Sequence, residues 1–213
     1  MKYLAIAFCF VTQMCSAQEL ALIKLSKEEV NKNIQYHFSQ ESTEGHLAAI
    51  DLFLFKDQTF EYSIASNVYQ AYSIGRWKLD NNKITLNSDF QDGTLPINVS
   101  YRQRDSSDLD VKQIAFVRDL NQKILSYAFV HINNDSTSCM DGDLLCTGKY
   151  KQIDRVKIAL ENNGPSSKWI NVMPQDGLLQ ITVLTNRNLK NYIILKNKKY
   201  AFENTKLRQL GDK

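Results

Sequence analysis

The sequence predicts an all-β protein, an antiparallel meander or partial barrel followed by a β-sandwich, and three observations carry that prediction. From about Ile34 onward apolar and polar residues alternate with period two. The alternating runs are short and are separated by clusters of Asn, Asp and Gly. A helical signal occurs at one place, just after Ser26. Short strands joined by tight turns pack as sandwiches or barrels rather than as α/β layers.

The N-terminus sets the compartment. Met1-Lys2 supplies one positive charge, Tyr3 to Val11 is apolar, and Cys15-Ser16-Ala17 is a small-residue exit. This is the layout of a secretory signal peptide cut before Gln18. An apolar run this short does not span a bilayer, which takes about 20 helical residues. The predicted organisation is therefore a signal peptide over 1–17, an antiparallel meander domain over 18–95 and a sandwich domain over 96–213. The mature chain would have no transmembrane segment and would reside outside the cell, in the periplasm or in the envelope. A lipid-modified Cys15 is the alternative export route, although Thr12 and Met14 suit lipoprotein processing poorly.

Cleavage changes charge and cysteine count. The leader carries Lys2 and no acid, so the net charge falls from +3 to +2. Such a balance lacks the clustered basic face of a nucleic-acid binder. Cys9 and Cys15 leave with the leader, and Cys139 and Cys146 remain, seven positions apart. In an exported chain that pair reads as a disulfide closing a short loop, worth about 2–3 kcal/mol by loop entropy. A zinc site would need two more ligands, and His131 is the nearest histidine, eight residues upstream of Cys139.

Each element follows in order. Ser26-x-x-Glu29 is a capping box, with Val30 and Ile34 on one face of the turn after it. Ile34, Tyr36 and Phe38 begin the first strand, and Ser42 to Gly45 turns the chain. His46 to Phe55 is apolar on both faces and reads as a strand covered on both sides. Lys56-Asp57-Gln58 is a turn; Phe60, Tyr62 and Ile64 alternate; Tyr69 to Leu79 is a long strand. Asn81-Asn82 marks a hairpin into Ile84-Thr85-Leu86, because Asn tolerates positive φ. Asp92-Gly93 and Pro96 mark the boundary. Beyond it strands are predicted at Ile97–Arg102, Val111–Arg118, Ile124–Ile132, Val156–Leu160, Trp169–Val172, Leu178–Thr185, Tyr192–Leu195 and Tyr200–Asn204. Asp119 to Gln122 is a hairpin, and the basic run Lys196 to Lys199 reads as a solvated tip between two strands.

Two resemblances add to this. Phe55-Lys56-Asp57-Gln58-Thr59-Phe60-Glu61-Tyr62, Gly75-Arg76-Trp77-Lys78-Leu79 and Asn82-Lys83-Ile84-Thr85-Leu86 resemble secreted bacterial lipocalin-like proteins of unassigned role, over residues 34–88. True lipocalins carry their Gly-x-Trp element on the first barrel strand, whereas here it comes late, so barrel ligand binding does not carry over. Val117-Arg118-Asp119, Lys123-Ile124, Ala128-Phe129-Val130 and Asp141-Gly142-Asp143 resemble prealbumin-like or carboxypeptidase-regulatory-like sandwich domains, over residues 97–205. That resemblance implies a binding or structural role.

The sequence holds no Gly-x-Ser-x-Gly elbow and no Ser-x-x-Lys helix start. His37 and His46 flank the first turn, but two ligands do not make a metal site. The acids of 105–110, with Asp135, Asp141 and Asp143, read as hydrated turns rather than calcium loops. No catalytic residue, metal or cofactor is assigned. The leading expectation is a non-enzymatic exported module that binds an envelope protein or a small apolar ligand, the latter in a cavity lined by Phe53, Phe55, Tyr62 and Trp77. The rival is a secreted hydrolase whose Asp51, Asp57 or Glu61 meet only in three dimensions. A third is an inhibitor or immunity partner acting through exposed loops.

Overall fold

The computed structural model describes residues 19–40, 48–103, 113–134, 138–140, 146–147, 150–173 and 175–211. The leader, Cys15, the turn at 42–45, His46 and the acids of 105–110, 135, 141 and 143 lie outside the described residues. The first elements are β1 (Glu19–Ile23), α1 (Lys27–Asn31), β2 (Ile34–Gln40), β3 (Ala49–Phe55), β4 (Thr59–Ala65), β5 (Gln70–Asp80) and β6 (Lys83–Ser88). There follow β7 (Ile97–Arg102), β8 (Gln113–Arg118), β9 (Ala128–Ile132), β10 (Ser138–Met140), β11 (Cys146–Thr147), β12 (Arg155–Leu160), β13 (Ile170–Asn171) and β14 (Leu178–Val183). The last are β15 (Lys198–Glu203) and β16 (Lys206–Gln209).

The fold is all-β. Strands β1 to β6 with β15 and β16 form a closed, antiparallel, eight-stranded barrel, lipocalin-like in shape. Its hairpins turn where the sequence supplies residues that accept the left-handed region. Asn81 and Asn82 have φ of 46° and 59°, and Asn204 has φ of 54° between β15 and β16. The capping box forms as the sequence predicts: the Glu29 N–H donates to Ser26 Oγ at 3.2 Å, and the Ser26 N–H to Glu29 Oε2 at 2.8 Å.

Period-two alternation fills the barrel. On β3, Leu52 and Leu54 are fully buried; from neighbouring strands Phe38, Phe60, Ile84, Leu86 and Tyr200 join them. Each such burial contributes about 1.5–3 kcal/mol. Near the α1 end the rings of Tyr36, Phe38, Trp77 and Phe202 interlock, with centroids 5.4–6.2 Å apart. Trp77 Nε1 donates to the Phe55 carbonyl at 2.9 Å, so its polar edge is satisfied inside the wall. Gly75 faces inward two residues before it, where a Cβ would meet Ser88 Cα at 2.7 Å and Asn87 O closer still. Only glycine permits that approach of β5 to β6.

Between β6 and β15 the chain builds two four-stranded sheets, ordered β10-β9-β12-β13 and β11-β8-β14-β7. They share one core: Ala115 and Val117 of β8 and Leu179, Ile181 and Val183 of β14 face Val130, Ile132, Val156 and Ile158 of the other sheet. That is a sandwich, as the sequence predicts. One pair is parallel, β8 with β14 in the register Ile181 opposite Val117.

The pairing differs from the sequence reading in several places. β1, which no pattern marked, is a barrel strand with Leu20 as its fully buried residue. The predicted sandwich span of 96–213 ends in the barrel: β15 pairs with β6, and β16 with β1. Lys196 to Lys199 is therefore no hairpin tip; Lys198 and Lys199 lie in β15 opposite Leu86 and Thr85. Tyr192–Leu195 forms no strand beyond a single bridge from Tyr192 to Tyr72. Both misreadings share a physical origin, since the partner of this stretch lies about a hundred residues upstream, where no local pattern records it.

Candidate functional site

Barrel and sandwich meet along β5. Inward residues of β5 alternate with Tyr72 and Ile74, which point out of the barrel and pack on the sandwich core. Tyr192 sits edge-on between Tyr72 and Phe90, at 5.4 and 5.7 Å. Its hydroxyl donates to the Ile74 carbonyl at 2.9 Å. Backbone bonds add to the seam, from the Tyr72 N–H to Asn191 O at 3.3 Å and from the Ile193 N–H to Tyr72 O at 2.9 Å. Burial is the main cause that pushes the Tyr72 hydroxyl up to about 12, with Tyr192 and Tyr127 adding to it and Arg187 opposing it. A neutral hydroxyl suits the bond it donates to Asn188 O.

The loop from Thr185 to Asn191 is built by local side-chain turns. Thr185 Oγ1 accepts from the Arg187 N–H, and Asn188 Oδ1 from the Lys190 N–H, both at 3.1 Å. Leu189 plugs into the sandwich core at 2% exposure, which leaves Asn188 and Lys190 on the outside. They form the common wall of two hollows. One, of about 360 Å³, lies against the β8–β9 turn and is lined by Asn121, Lys123, Tyr127 and Arg187 among others. The second, of about 530 Å³, lies against the β4–β5 end of the barrel beside Ser63, Gln70 and Tyr72. Asp119 is the one carboxylate among the described residues lining them. Its Oδ1 accepts the Lys123 N–H at 2.9 Å and so closes the predicted Asp119–Gln122 turn. Burial raises the Tyr127 hydroxyl above its usual range.

The residues picked from sequence as ligand-lining do not converge. Tyr62 and Trp77 face the barrel interior, at 5% and 6% exposure. Phe53 and Phe55 occupy the alternate positions of β3 and face outward. Phe53 stacks on His37 with centroids 4.2 Å apart and planes at 27°. His37 Nε2 is 3.0 Å from Asp51 Oδ1, and Nδ1 lies 2.9 Å from Glu29 Oε1, within ion-pair range but out of line for a hydrogen bond. The Ser26 backbone and side chain, followed more weakly by His37, lower the Glu29 carboxyl below its usual range. With a carboxylate at each ring nitrogen, His37 ties α1 to the barrel wall and has no nitrogen facing open space.

Of the hydrolase candidates, Asp51 is held by His37, and Asp57 accepts the Thr59 amide and hydroxyl at 2.9 and 2.6 Å. The Thr59 side chain is the main reason the Asp57 carboxyl lies below its usual range. Glu61 lies opposite Phe53 on the outer face. Cys146 is fully buried in the sandwich core; Cys139 lies opposite Val130 on β10, its side chain outside the described ones. Among the described residues no three His, Cys, Asp or Glu side chains gather as a metal set, and no helix is long and apolar enough to cross a membrane. Family models, curated proteins and solved structures gave no match to this chain. The seam loop was missed from sequence, where Asn186 to Asn191 read as a link between strands. The signal available was the density of turn formers and cations in Thr185-Asn186-Arg187-Asn188-Leu189-Lys190.

Proposed function

We propose that this is an exported, non-enzymatic binding protein with a lipocalin-like barrel that recognises its ligand or envelope partner at the barrel–sandwich seam. One observation carries the reading: Tyr36, Phe38, Trp77 and Phe202 pack against one another inside the barrel, while the hollows open at the seam. A carrier of apolar ligands keeps its lumen vacant; here the chain's own rings occupy this part of it. Recognition then falls to the loop surface, as it does on many rigid β scaffolds. In the exported chain Cys139 and Cys146 form the disulfide the sequence predicts; the strands that carry them, β10 and β11, approach one another. The hydrolase reading draws no support from Asp51 and Asp57, each already engaged by a neighbour.

Photo-cross-linking in the native host tests this. A cross-linker at Asn186 is expected to give a discrete adduct, and one at Gln35 on the outer barrel wall none. Adducts from Gln35 alone, or an apolar tracer whose binding is abolished by Tyr62→Ala, would overturn the seam as the recognition site. Mass analysis of the mature chain is expected to start at Gln18 and to show no free thiol.

A further inference from the structure

We infer that the smaller seam hollow is a site for an anionic sugar unit, a saccharide bearing a phosphate or carboxylate group; this rests on the seam being the recognition surface. Lys123, Arg187 and Lys190 all line the hollow and are exposed. The one carboxylate beside them, Asp119, accepts an amide of its own turn and offsets one of these charges, so the cations still outnumber it three to one. That excess of positive charge around about 360 Å³ favours a bound anion.

The remaining lining suits hydroxyl groups. Asn121 and Asn186 present amides that both donate and accept, Asn188 keeps its NH2 donor, and Ser126 presents a hydroxyl. Ile124, 49% exposed, offers an apolar contact for the C–H face of a sugar ring. The volume lies at the small end of ligand pockets, which run from about 300 Å³. The geometry is set before binding. Leu189 is buried, Thr185 and Asn188 hold the loop backbone, and Tyr72 donates to Asn188 O. A loop fixed in this way loses little freedom when it binds.

The test uses the full mature protein and backbone amide NMR shifts, titrated with glucose 6-phosphate, glucuronate, glucose, inorganic phosphate and a hexaglutamate peptide. Glucose 6-phosphate or glucuronate is expected to shift amides within 119–127 and 185–191, with at least about tenfold higher affinity than glucose or phosphate alone. Which of the two binds separates a phosphorylated from a carboxylated source. Arg187→Gln and Lys190→Gln should each weaken that binding about tenfold, and Lys78→Gln on the barrel should leave it unchanged. Arg187→Lys, which keeps charge but not the guanidinium fork, should fall between. Urea midpoints within error of the parent would show that the variants are folded. Glucose binding as well as its phosphate, or hexaglutamate binding more tightly than either sugar acid, overturns the ligand class while leaving the seam as a binding surface. No shift with either anionic sugar also overturns it, and the cross-link from Asn186 then decides the seam separately.

Discussion

Barrel and sandwich bury the same kinds of side chain with very different amounts of chain between partners. In the barrel each of β2 to β6 pairs with the strand just before it, and β4, β5 and β6 do so across links of two to four residues. In the sandwich β8 lies beside β14, parallel to it and about sixty residues away in sequence, while its neighbour in sequence, β9, belongs to the opposite sheet. Local pairing leaves its mark in turn residues and alternation. Distant pairing leaves only a buried apolar run, which says that a strand exists and not what it faces. The seam is where the two regimes are fastened together, through Tyr72 and Tyr192.

The sharpest way to break the barrel side of this comparison is Gly75→Ala. The added methyl meets the β6 backbone rather than a movable side chain, and a loss of about 3 kcal/mol is expected, read as a lower urea midpoint. Next come core truncations in each half. Leu52→Ala and Ile181→Ala should each cost about 2–4 kcal/mol. A single transition by both fluorescence and circular dichroism is expected in each variant, because the sandwich lies in the chain between β6 and the β15 and β16 that close the barrel, and Tyr72 and Ile74 pack on its core. Two separated transitions would show that the halves fold independently.

A smaller effect belongs to the seam. Tyr72→Phe removes one solvent-edge hydrogen bond, to Asn188 O, for a loss of about 0.5–1 kcal/mol. It should also remove a pH dependence. The Tyr72 hydroxyl is raised from 10.0 to about 12 in the folded protein, so its contribution is whole below pH 10 and is lost as pH rises from 10 towards 12. Stability in that window should fall less steeply in the variant, and absorbance near 295 nm should lack one late-titrating phenol. Smallest of all is Lys32→Ala. Its pair with Glu28 at 2.6 Å is exposed on both sides, so a thermal unfolding midpoint within error of the parent is expected.

Much of the barrel was legible in the sequence because its rules are local. Ser26 and Glu29 announced α1, and Asn81-Asn82 the β5–β6 hairpin. β1 and β16 escaped, since Leu20 is the one buried residue of β1 and Leu207 of β16. The candidate site was far less legible. Phe53 and Phe55 read like lumen residues because β3 is apolar on both sides, yet the strand period sends them outward with His37. Nothing near Thr185 to Asn191 reveals that Tyr72, more than a hundred residues earlier, will dock there.

The ring of eight strands has a temporal consequence. Its last two staves follow the inserted sheets in the chain and are synthesised after them. Until they arrive, β1 and β6 are open margins with unpaired amides, and a nascent molecule passes through a stage vulnerable to wrong partners. A protein truncated before Lys198 should therefore accumulate as aggregate, even though every residue of the inserted sheets is present.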